Sequence, residues 1–142
     1  MAITSRNPKF KERIEDQLTR QNFMHHMNFD LYQIEAGRMQ GELEVTPIHF
    51  QQDGFVHGGV IATIADIVAG FSAVSLVAED QKVVTGEIKI SYFARGEGSK
   101  LRAVGKVIKP GKRMNFCEAE VYDIREGEEN LIAKATTSMI TI

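Results

Sequence analysis

The sequence predicts an α+β fold in which an antiparallel sheet packs against helices on one face. The predicted elements follow the order helix, two strands, long apolar helix and four strands, and alternating βαβ units do not occur. The 142 residues are enough for one domain with a hydrophobic core. We therefore predict a single domain over residues 1–142.

The N-terminal segment, residues 1–28, is predicted to be helical and to lie on the surface. Phe10, Ile14 and Leu18 recur at helical spacing among charged residues. This spacing is typical of an amphipathic helix, which we predict over residues 7–24 with a structural role.

Six segments of alternating or β-rich sequence are bounded by turn residues and predict strands. The first two surround Ala36 and Gly37, a hairpin signal, and Pro47 ends the second. The predicted strands are residues 29–36, 38–45, 82–94, 99–109, 113–124 and 130–141.

The segment from Gly58 to about Val77 is apolar on nearly all sides, which predicts a helix enclosed by the rest of the protein. Its length approaches that of a membrane span. However, it contains Asp66 and several hydroxyl side chains, and these favour a buried helix instead.

Charge and cysteine content exclude several classes of partner. A net charge of -2 without a basic stripe argues against binding to nucleic acid or an anionic membrane. The N-terminus is charged where a secretion signal needs an apolar block, and Cys117 is the only cysteine, so we predict a cytoplasmic protein.

Cys117 lies in a predicted strand and is expected to be a buried thiol. No histidine pair has the spacing of a zinc site, so no metal or other cofactor is predicted.

The run HGGVIATIAD, residues 57–66, combines two features that are costly for a plain helix. Consecutive glycines cost backbone entropy, although at a helix start they leave N–H groups open to a ligand. The N–H of Gly58 or Gly59 could therefore hold the oxygen of a polarised carbonyl. The alternative is a tight turn that packs the helix under the sheet.

The second feature is Asp66, which lies in the middle of the predicted helix and so cannot cap it. Burial without a partner would raise the pKa of this carboxyl into the range useful for acid or base chemistry. The alternative is a structural role, in which Asp66 pairs with Lys89, Arg95 or another cation, or accepts a hydrogen bond from a partner subunit. His57 either binds a substrate carbonyl or orients the loop.

The distance between the glycines and Asp66 limits how these groups can act together. Gly58 and Asp66 are eight residues apart, roughly 12 Å of helical rise, whereas both must lie within about 3–4 Å of one reacting carbonyl. One helix cannot supply both, so the spacing predicts a homodimer in which each site takes Asp66 from the second chain. Small residues suit close approach of this helix to a neighbouring backbone, namely Ala62, Ala65, Ala69, Gly70 and Ala73.

Residues 51–70, QQDGFVHGGVIATIADIVAG, resemble the signature of hotdog-fold acyl-CoA thioesterases of the PaaI type and the related 4-hydroxybenzoyl-CoA thioesterases. The resemblance covers the chain from the first strand to Ile142 in element order. It implies an antiparallel sheet wrapped around the long central helix. It also implies dimers that join their sheets and share active sites, with pairing of dimers into tetramers.

The resemblance also implies roles for individual residues. Gly58 would supply the oxyanion N–H, His57 would lie against the thioester, and the partner's Asp66 would be the nucleophile or general base. Gln51 stands where PaaI-type enzymes usually have Asn, as in one branch of the 4-hydroxybenzoyl-CoA thioesterases. That branch has Glu at the position of Asp66, so the sequence combines features of both groups.

Further binding residues follow from the same comparison and from charge. Thr85 matches a family Ser or Thr that helps to place water, provided that a bulge at Gly86 turns its side chain toward the site. Gly59 would bind substrate beside Gly58. Cations for the CoA phosphates are expected among Arg95, Lys112 and Arg113, although a solvated hairpin tip explains the last two equally well.

The predicted function is hydrolysis of an acyl-CoA or aryl-CoA thioester to the free acid and CoA. The alternative is a non-catalytic acyl-CoA-binding module of the same fold, against which Asp66 argues. An enoyl-CoA hydratase is disfavoured because its His and Asp arrangement is not found in this helix. Aryl, arylacetyl and medium-chain fatty acyl groups remain open.

Overall fold

One antiparallel six-stranded sheet forms the framework of the protein. The computed structural model describes residues 3–142, and residues 1–2 of the predicted domain lie outside the described residues. The strands are β1 Phe29–Glu35, β2 Arg38–Glu44, β3 Val83–Tyr92, β4 Lys100–Lys109, β5 Met114–Arg125 and β6 Glu128–Thr141. They are hydrogen-bonded in the order β1-β2-β4-β5-β6-β3, with every pair antiparallel. The α+β prediction is confirmed, and each predicted strand boundary lies within two residues of the observed one.

Within residues 3–142, three helices and one short 3₁₀ turn accompany the sheet. The helices are α1 Phe10–Leu18, α2 Asn22–His26 and α3 Gly58–Val74, and the 3₁₀ turn spans Pro47–His49. Helix α3 begins at the predicted glycine and contacts all six strands. It ends three residues before the predicted Val77. No helix in the described range is both long enough and apolar enough to span a membrane.

The prediction of one N-terminal helix over residues 7–24 is wrong, because the chain breaks between α1 and α2. The Thr19 hydroxyl and N–H both donate to the carbonyl of Asp16, at 2.6 and 3.2 Å. This local bonding competes with continuation of the helix. The break lets α2 turn and bury Met24 beside β1.

Helix α3 lies very close to the inner face of β4. A Cβ built on Gly105 would be 2.4 Å from the carbonyl carbon of Val68, so only glycine fits beneath the helix there. Ala65 and Ala69 on the same side of α3 are fully buried. Ala65 and Ala69 thus serve close approach, and the neighbouring backbone is that of the chain's own sheet.

The opposite side of α3 is only partly covered by its own chain. Thr63, Asp66, Gly70 and Val74, spaced three or four residues apart, are all incompletely buried. Strand β3, at the edge of the sheet, runs beside this stripe and is exposed along most of its length. The uncovered stripe and the edge strand together frame the candidate site.

Candidate active site

A buried histidine fixes the loop that leads into α3. The Thr46 N–H donates to His49 Nδ1 at 3.0 Å, so His49 Nε2–H donates to the Met27 carbonyl at 2.8 Å. The His57 N–H in turn donates to the carbonyl of His49 at 2.8 Å. His49 therefore anchors the residue immediately before α3, a role that its isolated position in the sequence did not indicate.

His57 is the N-cap of α3. Its backbone is extended, and its Nδ1 accepts the Gly59 N–H at 2.8 Å. A Cβ on Gly59 would lie 2.9 Å from this Nδ1, so the second glycine is needed for the cap. With Nδ1 acting as acceptor, a neutral His57 carries its proton on Nε2, where it can donate to a ligand.

The Gly58 N–H is the free donor at this helix end. Within residues 3–142 it has no hydrogen-bond acceptor, whereas the next three N–H groups bond to His57. Of the two glycines that the sequence offered, Gly58 is thus the one whose N–H can bind a substrate oxygen.

Tyr92 stabilises the backbone around Gly58. Its hydroxyl donates to the Gly58 carbonyl at 2.9 Å, and its ring packs 3.5 Å from the position of a Gly58 Cβ. Partial burial raises the pKa of Tyr92, so the hydroxyl stays protonated and can donate over a wider range of alkaline pH. The contact ties the end of β3 to the start of α3.

Asp66 is half-buried and is held by Thr85. The Thr85 hydroxyl donates to Asp66 Oδ1 at 2.7 Å. The register with β6 skips Gly86, which confirms the bulge required to turn Thr85 toward the helix. A pair with Lys89 or Arg95 is not found, since Asp66 forms no ion pair with any residue in the described part of the chain.

A groove extends from Asp66 along the uncovered side of α3, and we call it the Asp66 groove. Its cavity volume is about 170 Å³, small beside the roughly 300–1,000 Å³ of complete ligand sites. Five of its nine wall residues have apolar side chains. The walls are formed by Gln21, Asp66, Ile67, Gly70, Phe71, Val74, Val83, Thr85 and Met139.

The remaining predicted residues lie around the two ends of α3. Gln51 Oε1 accepts the Asp53 N–H in the turn before α3. Arg95 stacks on Phe55 of the same turn at 4.5 Å and pairs with Glu97 at 3.2 Å. By contrast, Lys112 lines a cavity with Leu76, just beyond the other end of α3. Because Arg113 adjoins Lys112, the predicted cations form two groups on one chain.

Cys117 is a buried thiol, as predicted. Burial raises its pKa to about 12, which leaves almost no thiolate at neutral pH. We expect native protein at pH 8 to react with iodoacetamide far more slowly than protein unfolded in urea, measured by mass spectrometry. Rapid labelling of the native protein would contradict the burial of this strand.

Known proteins with the same sequence features identify the family. Residues 53–129, more than half of the chain, match the family model of the thioesterase superfamily. This chain belongs to the thioesterase superfamily. Thioester hydrolysis is accordingly the class of reaction that it catalyses.

Individual relatives agree with this assignment. A thioesterase family protein from Silicibacter pomeroyi has 28% identity and a TM-score of 0.92, with 94% of this chain and 98% of that chain covered. A 1,4-dihydroxy-2-naphthoyl-CoA hydrolase from Listeria monocytogenes is 27% identical, covering 70% of this chain and 81% of that protein. The PaaI protein from Escherichia coli has 16% identity and a TM-score of 0.84, covering 94% of both chains, and shares the fold. The resemblance to hotdog thioesterases is confirmed.

Proposed function

We propose that the protein hydrolyses acyl-CoA thioesters in a site shared by two copies of the chain. The observation that carries the proposal is the pair of groups on α3. One is the Gly58 N–H without an acceptor, and the other is the Asp66 carboxylate oriented by Thr85. The first can stabilise a developing oxyanion and the second can attack a carbonyl or activate water.

The proposed chemistry uses these groups on opposite sides of one thioester. The Gly58 N–H, with the proton on His57 Nε2, binds the carbonyl oxygen. In one route Asp66 takes a proton from water as the water oxygen bonds to the carbonyl carbon. Collapse of the intermediate then breaks the C–S bond, and the proton held by Asp66 passes to the departing CoA sulfur. In the other route an Asp66 oxygen bonds to the carbonyl carbon, the C–S bond breaks, and CoA leaves as a thiolate that takes a proton from solvent. Water then attacks the Asp66 carboxyl carbon of the resulting anhydride, which releases the free acid and restores the Asp66 carboxylate. A single turnover in heavy-oxygen water distinguishes the routes, because only the anhydride route labels Asp66.

The distance between Gly58 and Asp66 supports a site that includes a second chain. Both groups lie on the same helix, and eight residues of helix separate them by roughly 12 Å. The exposed β3 edge offers unpaired backbone groups and exposed side chains, with Val84 near Asp66 and Tyr92 near Gly58 each 48% exposed. We propose that β3 pairs antiparallel with its copy, which would bring the Gly58 of one chain to the Asp66 of the other. Pairing of such dimers into tetramers is a further proposal.

The remaining predicted residues complete the proposed site. Gln51 positions the thioester or water, Gly59 forms part of the substrate wall, and the phosphates of CoA contact Arg95 from one chain or the Lys112 and Arg113 turn. The naphthoyl-CoA substrate in the name of the Listeria relative supports an acyl-CoA substrate.

The proposal is tested with a panel of acyl-CoA thioesters that includes aryl, arylacetyl and fatty acyl groups. Release of CoA thiol is followed with a disulfide reagent, which Cys117 does not consume while it is buried. We expect at least one thioester to be cleaved far above its background rate. If acyl-CoA binds by calorimetry but none is cleaved, the protein is a binding module and the proposal is wrong.

A further inference from the structure

The packing within the chain does not explain why the residue at the position of Gly70 is a glycine. It lies in the middle of α3, where glycine is less favourable than alanine by about 1 kcal/mol. Unlike Gly105, it is not pressed against a neighbour, because a Cβ at this position would meet no atom of residues 3–142 within 4 Å. The described part of the chain therefore leaves the space beside Gly70 unfilled.

That space belongs to the Asp66 groove. Gly70 is one helical turn beyond Asp66, about 6 Å along the axis, and Val74 is one turn further. Phe71, Val83 and Met139 provide apolar walls between them. A group attached to a carbonyl at Asp66 would pass directly over Gly70.

The far end of the Asp66 groove is formed by the N-terminal segment. Gln21, which precedes α2, lines the groove together with Val74. An adjoining cavity of about 330 Å³ shares Gln21, Phe71, Val74 and Val83 and adds Gln17 and Arg20. Gln21 is the one residue of this shared set that comes from the N-terminal segment, at the junction between the groove and the more open, polar cavity.

We propose that the Asp66 groove binds the acyl group, that Gly70 sets its width and that Gln21 sets its length. This inference rests on the proposed thioesterase function. The preferred acyl groups are uncharged, aliphatic or aryl, and extend about 6–12 Å beyond the carbonyl. A short acyl group that ends in a carboxylate is excluded because none of the described residues that form the groove is a Lys or Arg to pair with it, and Asp66 repels it.

Variants at Gly70 test whether this residue sets the width of the Asp66 groove. Gly70→Ala is expected to raise the unfolding temperature by about 3–5 °C, because it removes a helix-interior glycine without a clash. Gly70→Val is expected to lower kcat/KM for decanoyl-CoA and phenylacetyl-CoA by at least about tenfold. With acetyl-CoA, whose methyl group does not reach Gly70, kcat/KM should stay within about twofold of wild type.

A variant at Gln21 tests whether this residue sets the length of the Asp66 groove. Gln21→Ala is expected to shift the preference toward longer fatty acyl groups, raising the kcat/KM ratio of palmitoyl-CoA to decanoyl-CoA by about fivefold or more. The control is Glu15→Ala, at an exposed position of α1 in the same N-terminal segment, and it should leave this ratio unchanged. Succinyl-CoA should be a poor substrate for every variant.

The outcomes separate this inference from the proposed function. If wild-type protein cleaves no thioester, both the proposed function and this inference are wrong. If wild type is active but Gly70→Val slows acetyl-CoA and decanoyl-CoA equally, the groove does not bind the acyl group. If Gly70→Val instead changes the oligomeric state measured by light scattering, a partner chain fills the space and the inference is overturned.

Discussion

Asp66→Asn is expected to lower kcat for acyl-CoA hydrolysis by roughly 10²–10⁴-fold. The asparagine keeps the size of the side chain and still accepts the hydrogen bond from Thr85, so the fold should be retained. A neutral amide, however, neither attacks the carbonyl carbon nor takes a proton from water. Steady-state thiol release gives kcat, and calorimetry with a slowly cleaved acyl-CoA gives a Kd that should change little.

The matched control is Asp80→Asn, the same substitution at an exposed turn position after α3. It should leave both kcat and Kd unchanged. Full activity of Asp66→Asn would remove Asp66 from the mechanism. Loss of binding together with loss of turnover would assign this carboxylate a structural role instead.

Gly58→Pro is expected to lower kcat by roughly 10²–10³-fold, the usual effect of removing one oxyanion donor. Proline removes the N–H at this position and puts a ring carbon in its place. Gly58 is the first residue of α3, where proline is well tolerated, and His57 already has the extended backbone that a residue before proline requires. The unfolding temperature, measured in parallel, should therefore not fall appreciably.

Gly58→Ala is the control, because alanine keeps the N–H. Gly58 does not have a positive φ, and an added Cβ would make only ordinary contact with Tyr92 at 3.5 Å. We expect kcat within about threefold of wild type, since the donor is unchanged. Equal loss in the alanine and proline variants would show that the backbone needs glycine for packing and that the N–H is not the catalytic group.

The strands and the central helix could be predicted from sequence because their signals are local. Alternation and turn residues define β1 to β6, and an apolar run after two glycines defines α3. The break between α1 and α2 was missed because it depends on a side-chain hydrogen bond from Thr19 within a continuous helical pattern. The cytoplasmic location and the single-domain organisation stay predictions.

The site residues that lie in one short stretch of sequence could be predicted. Those that act through contacts between distant segments could not. Gly58 and Asp66 lie in one motif, and the glycine after Thr85 was enough to anticipate the bulge. Tyr92 and His49 act through contacts with residues far from them in the sequence, or across a loop, so no local pattern indicates them. Gly70 resembled the other small residues of α3, and only the empty space beside it shows that it differs.

The shared site is tested most directly by mixing two inactive variants. Asp66→Asn and Gly58→Pro chains, each inactive alone, are co-expressed with different affinity tags, and the mixed dimer is purified through both tags. If Gly58 of one chain acts with Asp66 of the other, each mixed dimer contains one intact site and should recover about half of the wild-type kcat per dimer. If both groups act within one chain, every site in the mixed dimer carries a defect. A mixed dimer as inactive as its parents would contradict the account.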